Sequence, residues 1–271
     1  MRTSRFLLLS IVLFFICFWF SGGSNIISQD TKALSTKLQD QMHTATNNSS
    51  VPTTNTNRSQ NISTLDRVSR IVFLRDAVAK TVNGKKYVTI DKISVPLQQA
   101  IIAVEDNRFY SHWGFDIESI LRASLVNLQY GKIEEGASTI TQQLVKNLFL
   151  SHEQSFGRKA EELILAVDME NRYSKEKILE LYLNTIYFGS NFYGIQEASQ
   201  GYFGKDPEDL TLAEASMLAG LPNAPSLYSP YVDFPMAKKR QSIVLDTMVR
   251  AGFVAPAIAE KTKQTPLYFI K

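Results

Sequence analysis

The alternation of apolar and polar positions divides the chain into three stretches. Phe6 to Ile27 carries no charge and centres on FLLLSIVLFFICFWF. A bilayer-spanning helix needs about 20 mostly apolar residues, so this stretch predicts one transmembrane helix. Arg2 and Arg5 precede it and the next basic residue is Lys32, a bias that predicts a cytoplasmic N-terminus with the rest of the chain outside. Ser21-Gly22-Gly23-Ser24 supports a competing reading as a cleaved signal peptide, but the length of the run and the lack of a clean A-x-A site favour a retained anchor. From residue 28 to about 64 the chain is rich in Asn, Ser, Thr and Gln, too poor in large apolar groups to offset the entropy of ordering, and reads as a flexible linker.

Residues 65–271 read as one folded domain, mainly α. A short strand pair is expected at Arg70–Leu74 and Tyr87–Ile90, joined through the turn signal Asn83-Gly84. Helical periodicity then runs from Val95 to the end. Ser174 is placed to cap a helix over Lys175–Asn184, and Pro222, Pro225 and Pro230 break the chain after LTLAEASMLAGL. With 271 residues, 44% of them hydrophobic and 20% charged, the chain can bury one sizeable core. A net charge of +3 suits an anionic membrane surface or a phosphate substrate and is too small to imply nucleic acid. Lys238-Lys239-Arg240, the one local basic run, reads as a solvated helix face. Cys17 lies inside the apolar stretch, and His43, His112 and His152 are scattered, so neither a disulfide nor a typical zinc helix is expected.

Three segments concentrate chemistry. EDNRFYSHWGFD, from Glu105 to Asp116, packs carboxylates and aromatics at a helix end, and adjacent Glu105 and Asp106 point to different sides of that helix, so one of them at most faces a cleft. GASTITQQLVKN, from Gly136 to Asn147, sets Thr139, Gln143 and Lys146 on one helical face, offering a hydroxyl, an amide and an ammonium to a phosphate or sugar. Around Glu161-Glu162 the helical wheel aligns Glu161 with Asp168 and Arg172, whereas Glu162 falls between Ala166, Met169 and Tyr173, where a carboxylate loses hydration. Glu162 is therefore the candidate buried acid and Glu161 the solvated neighbour.

In order and content these segments, followed by YGIQEASQGYFGK and LTLAEASMLAGLPNAPSLYSP, resemble the family 51 glycosyltransferases, the peptidoglycan polymerases found alone or as the N-terminal domain of class A penicillin-binding proteins. The resemblance implies a two-lobed, lysozyme-like helical domain with a small N-terminal β element. It also implies an activity: the 4-hydroxyl of a lipid-linked disaccharide-peptide (lipid II) attacks the anomeric carbon of a growing glycan, with inversion and release of polyprenyl pyrophosphate. Glu105 matches the family's general base and Glu162 its second essential glutamate, which assists at the donor side. Lys146 and Arg158 match the diphosphate clamp. Ser138, Thr139, Gln143, Asn147, Asp106, Phe109 and His112 match surrounding binding positions, Phe109 being equally a core candidate. A divalent cation, Mg or Mn, would be held by Glu105 and Asp106. A lipid substrate implies an extracytoplasmic site at a bacterial cell membrane, with the apolar stripe of Ile117–Leu128 either in the core or in a lobe that dips into the bilayer, and other cell-wall synthesis proteins as partners.

Gly136-Ala137 stands where a Gly-Gly pair is common in the family. Ser174-Lys175-Glu176-Lys177 is the sole Ser-x-x-Lys match and has no Lys-Thr-Gly partner, so the sequence reads as a monofunctional enzyme or a piece of a bifunctional one. A lysozyme-like hydrolase and a non-catalytic envelope scaffold are the competing readings; neither has a use for the Lys146 and Arg158 clamp.

Overall fold

A computed structural model describes residues 74–82, 86–130, 136–150 and 156–270. The expected membrane helix, the linker, residues 70–73 and the Asn83-Gly84 turn lie outside the described residues. Apart from Phe156 and Gly157, the described residues belong to one compact unit, residues 62–153 and 158–271; the other unit, residues 1–61 with 154–157, is represented by those two alone. Among the described residues, no helix is long and apolar enough to cross a membrane.

The compact unit is mainly helical, as the periodicity predicts. In chain order the helices are α1 (Leu74–Val82), α2 (Val95–Glu105), α3 (Ile117–Tyr130), α4 (Ile140–Phe149), α5 (Phe156–Arg172), α6 (Lys175–Thr185), α7 (Ile195–Phe203), α8 (Leu212–Gly220), α9 (Pro225–Tyr228), α10 (Phe234–Arg250) and α11 (Pro256–Lys263). Sequence sets their ends. Ser174 accepts from the Lys177 backbone N–H at the start of α6, as expected, and Thr211 with Glu214 forms a reciprocal capping box at the start of α8. Pro96 and Pro235 sit in first turns, where a missing N–H costs nothing.

The core is built around α8. All of its residues from Ala213 to Gly220 are buried, and the small side chains among them (Ala213, Ala215, Ser216, Ala219) let α2 and α10 approach closely on either side. α2 contributes Leu97, Ala100 and Ile101, and α10 contributes Val244, Leu245 and Met248, all essentially inaccessible. α4 packs against α6, and Ile140 and Leu144 of the first and Leu179 and Leu183 of the second are fully buried. Burial of such aliphatic groups contributes about 1.5–3 kcal/mol per side chain.

The expected strand pair is not formed by the residues that are described. Leu74 opens α1, residues 86–89 form neither strand nor helix, and Ile90–Lys92 is a turn of 3₁₀ helix. The reason lies in α6, whose side chains take the place of a partner strand. Asn184 accepts from the Val88 N–H at 2.8 Å and donates to the Val88 carbonyl at 2.8 Å, while Glu180 accepts from the Ile90 N–H and from the Tyr87 hydroxyl. Asn184→Leu keeps the branching of the side chain but strands both backbone groups of Val88. We expect a loss of about 2–4 kcal/mol, from two buried polar groups left unsatisfied, read as a fall of roughly 4–15 °C in Tm.

Candidate active site

α2 ends at Glu105 because Asp106 leaves helical geometry, with φ of −161° and ψ of 75°. The turn aims the two neighbouring carboxylates apart, as their spacing predicts. Asp106 is buried: its Oδ2 accepts from the Ile140 N–H at 3.0 Å, at the first residue of α4, and both oxygens lie within 3.0 Å of His112 Nε2. Thr139 caps the same helix, accepting from the Gln142 N–H in a capping box and donating to the Gly114 carbonyl at 2.7 Å. Gly114 has φ of +84°, and a Cβ there would stand 2.8 Å from the Ala166 carbonyl of α5. Only glycine fits a left-handed conformation against another backbone. These bonds lock the first two sequence segments together and seat the first against the third.

Glu105 thereby faces a cavity of about 660 Å³. One wall comes from the end of α2, another from the start of α3 with Ser119 and Arg122, a third from residues 136–139 and Gln143, and the last from Asn223 and the α10 residues Arg240, Ile243, Thr247 and Arg250. As a residue Glu105 is half-buried, yet its Oε1 is closed off from solvent and has no hydrogen-bond partner among the described residues. Its Oε2 accepts from Gln143 Nε2 at 2.8 Å, and the other end of that amide accepts from the Tyr182 hydroxyl at 3.1 Å. Burial pushes the Glu105 carboxyl above its ordinary value of 4.5; the Gln143 hydrogen bond, Arg240 and Lys146 pull the other way, and Asp106 adds to the rise.

The expected residues divide. Glu105, Asp106, Ser138, Thr139 and Gln143 are brought to one cavity. The Thr139 hydroxyl, expected to meet a ligand, is instead consumed by the helix cap and Gly114. His112 braces Asp106, and Phe109 is core, fully buried under the Lys175 ammonium at 4.6 Å from its ring. Lys146 and Asn147 are exposed on the last turns of α4; Lys146 is close enough to act on the charge of Glu105, but neither is among the cavity walls. Arg158 and Glu162 sit on α5, also outside those walls. Glu162 is 3% exposed, as the wheel predicts, and is ion-paired to Lys159 one turn earlier, whereas Glu161 is half-buried rather than solvated.

The guanidinium groups at the cavity are Arg122, Arg240 and Arg250, none of them singled out by the sequence reading. Arg240 corrects the reading of Lys238-Lys239-Arg240 as a solvated face: it is half-buried, its Nε donates to the Gly220 carbonyl at 3.3 Å, and its guanidinium lies 5.5 Å from the Tyr228 ring centroid. The helical spacing of Arg240, Ile243, Thr247 and Arg250 is the signal that could have found this wall.

As for a divalent cation, a hard ion takes six or more oxygen ligands. Asp106 has its carboxylate committed to His112 and the Ile140 N–H, and no cluster of three His, Cys, Asp or Glu side chains with metal-binding geometry occurs among the described residues. Glu105 and Asp106 do not fit a shared cation cage.

Comparison with known proteins places the chain in a family. A family profile described as "Transglycosylase" matches residues 74–249, well over half of the chain. Penicillin-binding protein 1A of Neisseria flavescens is 46% identical over 185 residues, which is 68% of this chain and 23% of that protein. Penicillin-binding protein 1A of Aquifex aeolicus is 46% identical over 181 residues, covering 67% and 25% respectively. Penicillin-binding protein 1F of Bacillus subtilis is 47% identical over 172 residues, covering 64% and 24%. The chain thus spans about a quarter of the length of the curated relatives it matches. The matched region holds Glu105, Gln143, Glu162 and Arg240 together, and the chain belongs to the transglycosylase family.

Proposed function

We propose that this chain is a peptidoglycan glycosyltransferase that polymerises lipid II into glycan strands and releases polyprenyl pyrophosphate. One observation carries the reading: a glutamate with an unpartnered, solvent-shielded oxygen stands at a cavity whose lining includes the guanidinium groups of Arg122, Arg240 and Arg250, in a chain of the transglycosylase family. In the reaction the acceptor 4-hydroxyl oxygen bonds to the anomeric carbon of the donor and its proton passes to Glu105. The anomeric carbon–oxygen bond to phosphate breaks, and its electron pair leaves with the diphosphate. A carboxylate raised by burial is a better base than an ordinary glutamate, while Arg240 keeps it ionised. The departing charge needs fixed cations rather than a proton donor, and arginine forks suit a diphosphate. Arg122, Arg240 and Arg250 supply them at the cavity, with Lys146 and Arg158 beyond it. Hydrolysis of a neutral glycan has no use for that many cations.

The membrane belongs to the same proposal. On α3, Ile117, Leu121, Leu125 and Leu128 form an exposed apolar stripe, with Leu128 81% exposed, while Ser119 and Arg122 of the same helix line the cavity. A lipid-linked substrate could keep its tail beside that stripe and its head group in the cavity. The N-terminal anchor, the extracytoplasmic location at a bacterial cell membrane, the two-lobed lysozyme-like arrangement, the donor-side role of Glu162 and association with other wall enzymes stand as further parts of this reading.

Glu105→Gln is expected to abolish polymer formation from purified lipid II, a loss of at least about 100-fold in kcat. Because the folded-state pKa lies above the unfolded one, the stability linked to this carboxyl is full at low pH and is lost as pH rises through the folded value. At neutral pH the glutamine variant should therefore melt no lower than the parent, and a clearly lower Tm in a thermal scan would contradict the burial account. The acid limb of the kcat/KM profile should lie above pH 4.5, the ordinary glutamate value. Arg240→Met should move that limb to higher pH, since its cation holds the carboxyl down; an unmoved limb would remove Arg240 from the site. For Glu162→Gln a loss of about 100-fold is expected, and for Glu161→Gln one within a few-fold. Reversal of that pair in the same assay would count against Glu162.

A further inference from the structure

Of the hydrogen-bonded side chains around Glu105, one reaches it from α6, behind the cavity wall. The Tyr182 ring is fully buried, and among the described residues its hydroxyl bonds only Gln143 Oε1, at 3.1 Å. Gln143 Nε2 in turn donates to Glu105 Oε2 at 2.8 Å, leaving Oε1 as the unpartnered oxygen. A glutamine amide can be seated either way round, and its neighbours decide which. A phenol has a single proton to give. Burial, with the charges of Glu105 and Asp106, pushes the Tyr182 hydroxyl far above any working pH, so it is a permanent donor. Facing it, the amide must present its oxygen to the tyrosine and its N–H₂ to the carboxylate. The opposite seating would set an amide oxygen against an ionised carboxylate and leave the phenol without an acceptor, a double loss in a closed environment.

We infer that Tyr182 is a positioning residue for the base: acting through the Gln143 amide, it holds Oε2 and so fixes the orientation of the Glu105 carboxylate at the cavity. Gln143 is then a strut with both ends used rather than a ligand for the sugar. The inference rests on the polymerase reading for its consequence in turnover, while the chain of bonds itself is independent of it.

The test is a double-mutant cycle on the full chain, with purified lipid II as substrate. Tyr182→Phe keeps the packing and deletes the proton. It should lower kcat about ten-fold, the weight of one buried neutral hydrogen bond, with KM within about two-fold of the parent. In a Gln143→Met background the same substitution should change kcat less than about two-fold, because the strut is already gone. Gln143→Asn, which shortens the arm by one methylene and spares the tyrosine, should reproduce the loss in kcat at unchanged KM. Parental kcat in either single variant, losses that multiply in the double variant, or a raised KM at parental kcat would each overturn the assignment. A parent chain that makes no glycan would sink the polymerase reading alone; the same cycle read in thermal unfolding then decides the strut, with coupled losses upholding it and additive losses overturning it.

Discussion

The site depends on the carboxylate of Asp106. By accepting from the first N–H of α4 and from His112, it joins the end of one helix to the start of another and uses up its own charge in doing so. Negative charge at a helix N-terminus is favourable through both the free N–H groups and the helix dipole. With Asp106 turned inward to this task, its neighbour is directed to the other side, so the orientation of Glu105 follows from where Asp106 is tied. The Thr139 cap and the Gly114 seat repeat the same logic, each linking segments that lie far apart in sequence.

Around this frame the polar side chains fall into two populations. Those that look inward are bonded to one another: His112 Nε2 on Asp106, Thr139 on Gly114, Glu170 accepting from Thr141 and Lys175. The cavity keeps an oxygen unsatisfied at Glu105 beside long cationic side chains from α3 and α10. A buried acidic oxygen held without a partner beside a cavity costs the fold stability, which is the pattern expected where stability has been traded for chemistry.

How much of this could be read from the residues varied with the range of the interaction. Helix order, the Ser174 cap, the proline breaks and the burial of Glu162 rest on spacings of a few residues, and these the sequence carries openly. The Thr-Ile-Thr-Gln capping box was missed: Thr139 was placed on a helical face and expected to meet a ligand, whereas its hydroxyl caps the helix. Residues 86–90 were misread because their backbone partners are the side chains of Glu180 and Asn184, about 90 positions away. Arg240 was misread for a related reason: a basic triplet on a helix is usually solvated, and only the approach of α10 to α2 and α8 gives this one a wall to stand in. Tyr182 left no local signal at all, since a tyrosine in an apolar helix reads as core, which it also is.

Completion of the cavity by α10 has a consequence for biosynthesis. As the chain emerges from the ribosome, the helix that ends in Glu105 is made long before α8 covers it and before Arg240 exists to bias its charge. Until then the carboxylate stands in water as an ordinary glutamate. The nascent polypeptide therefore carries every residue of its first two motifs before the cavity exists, and the cavity is completed late, when the C-terminal third docks.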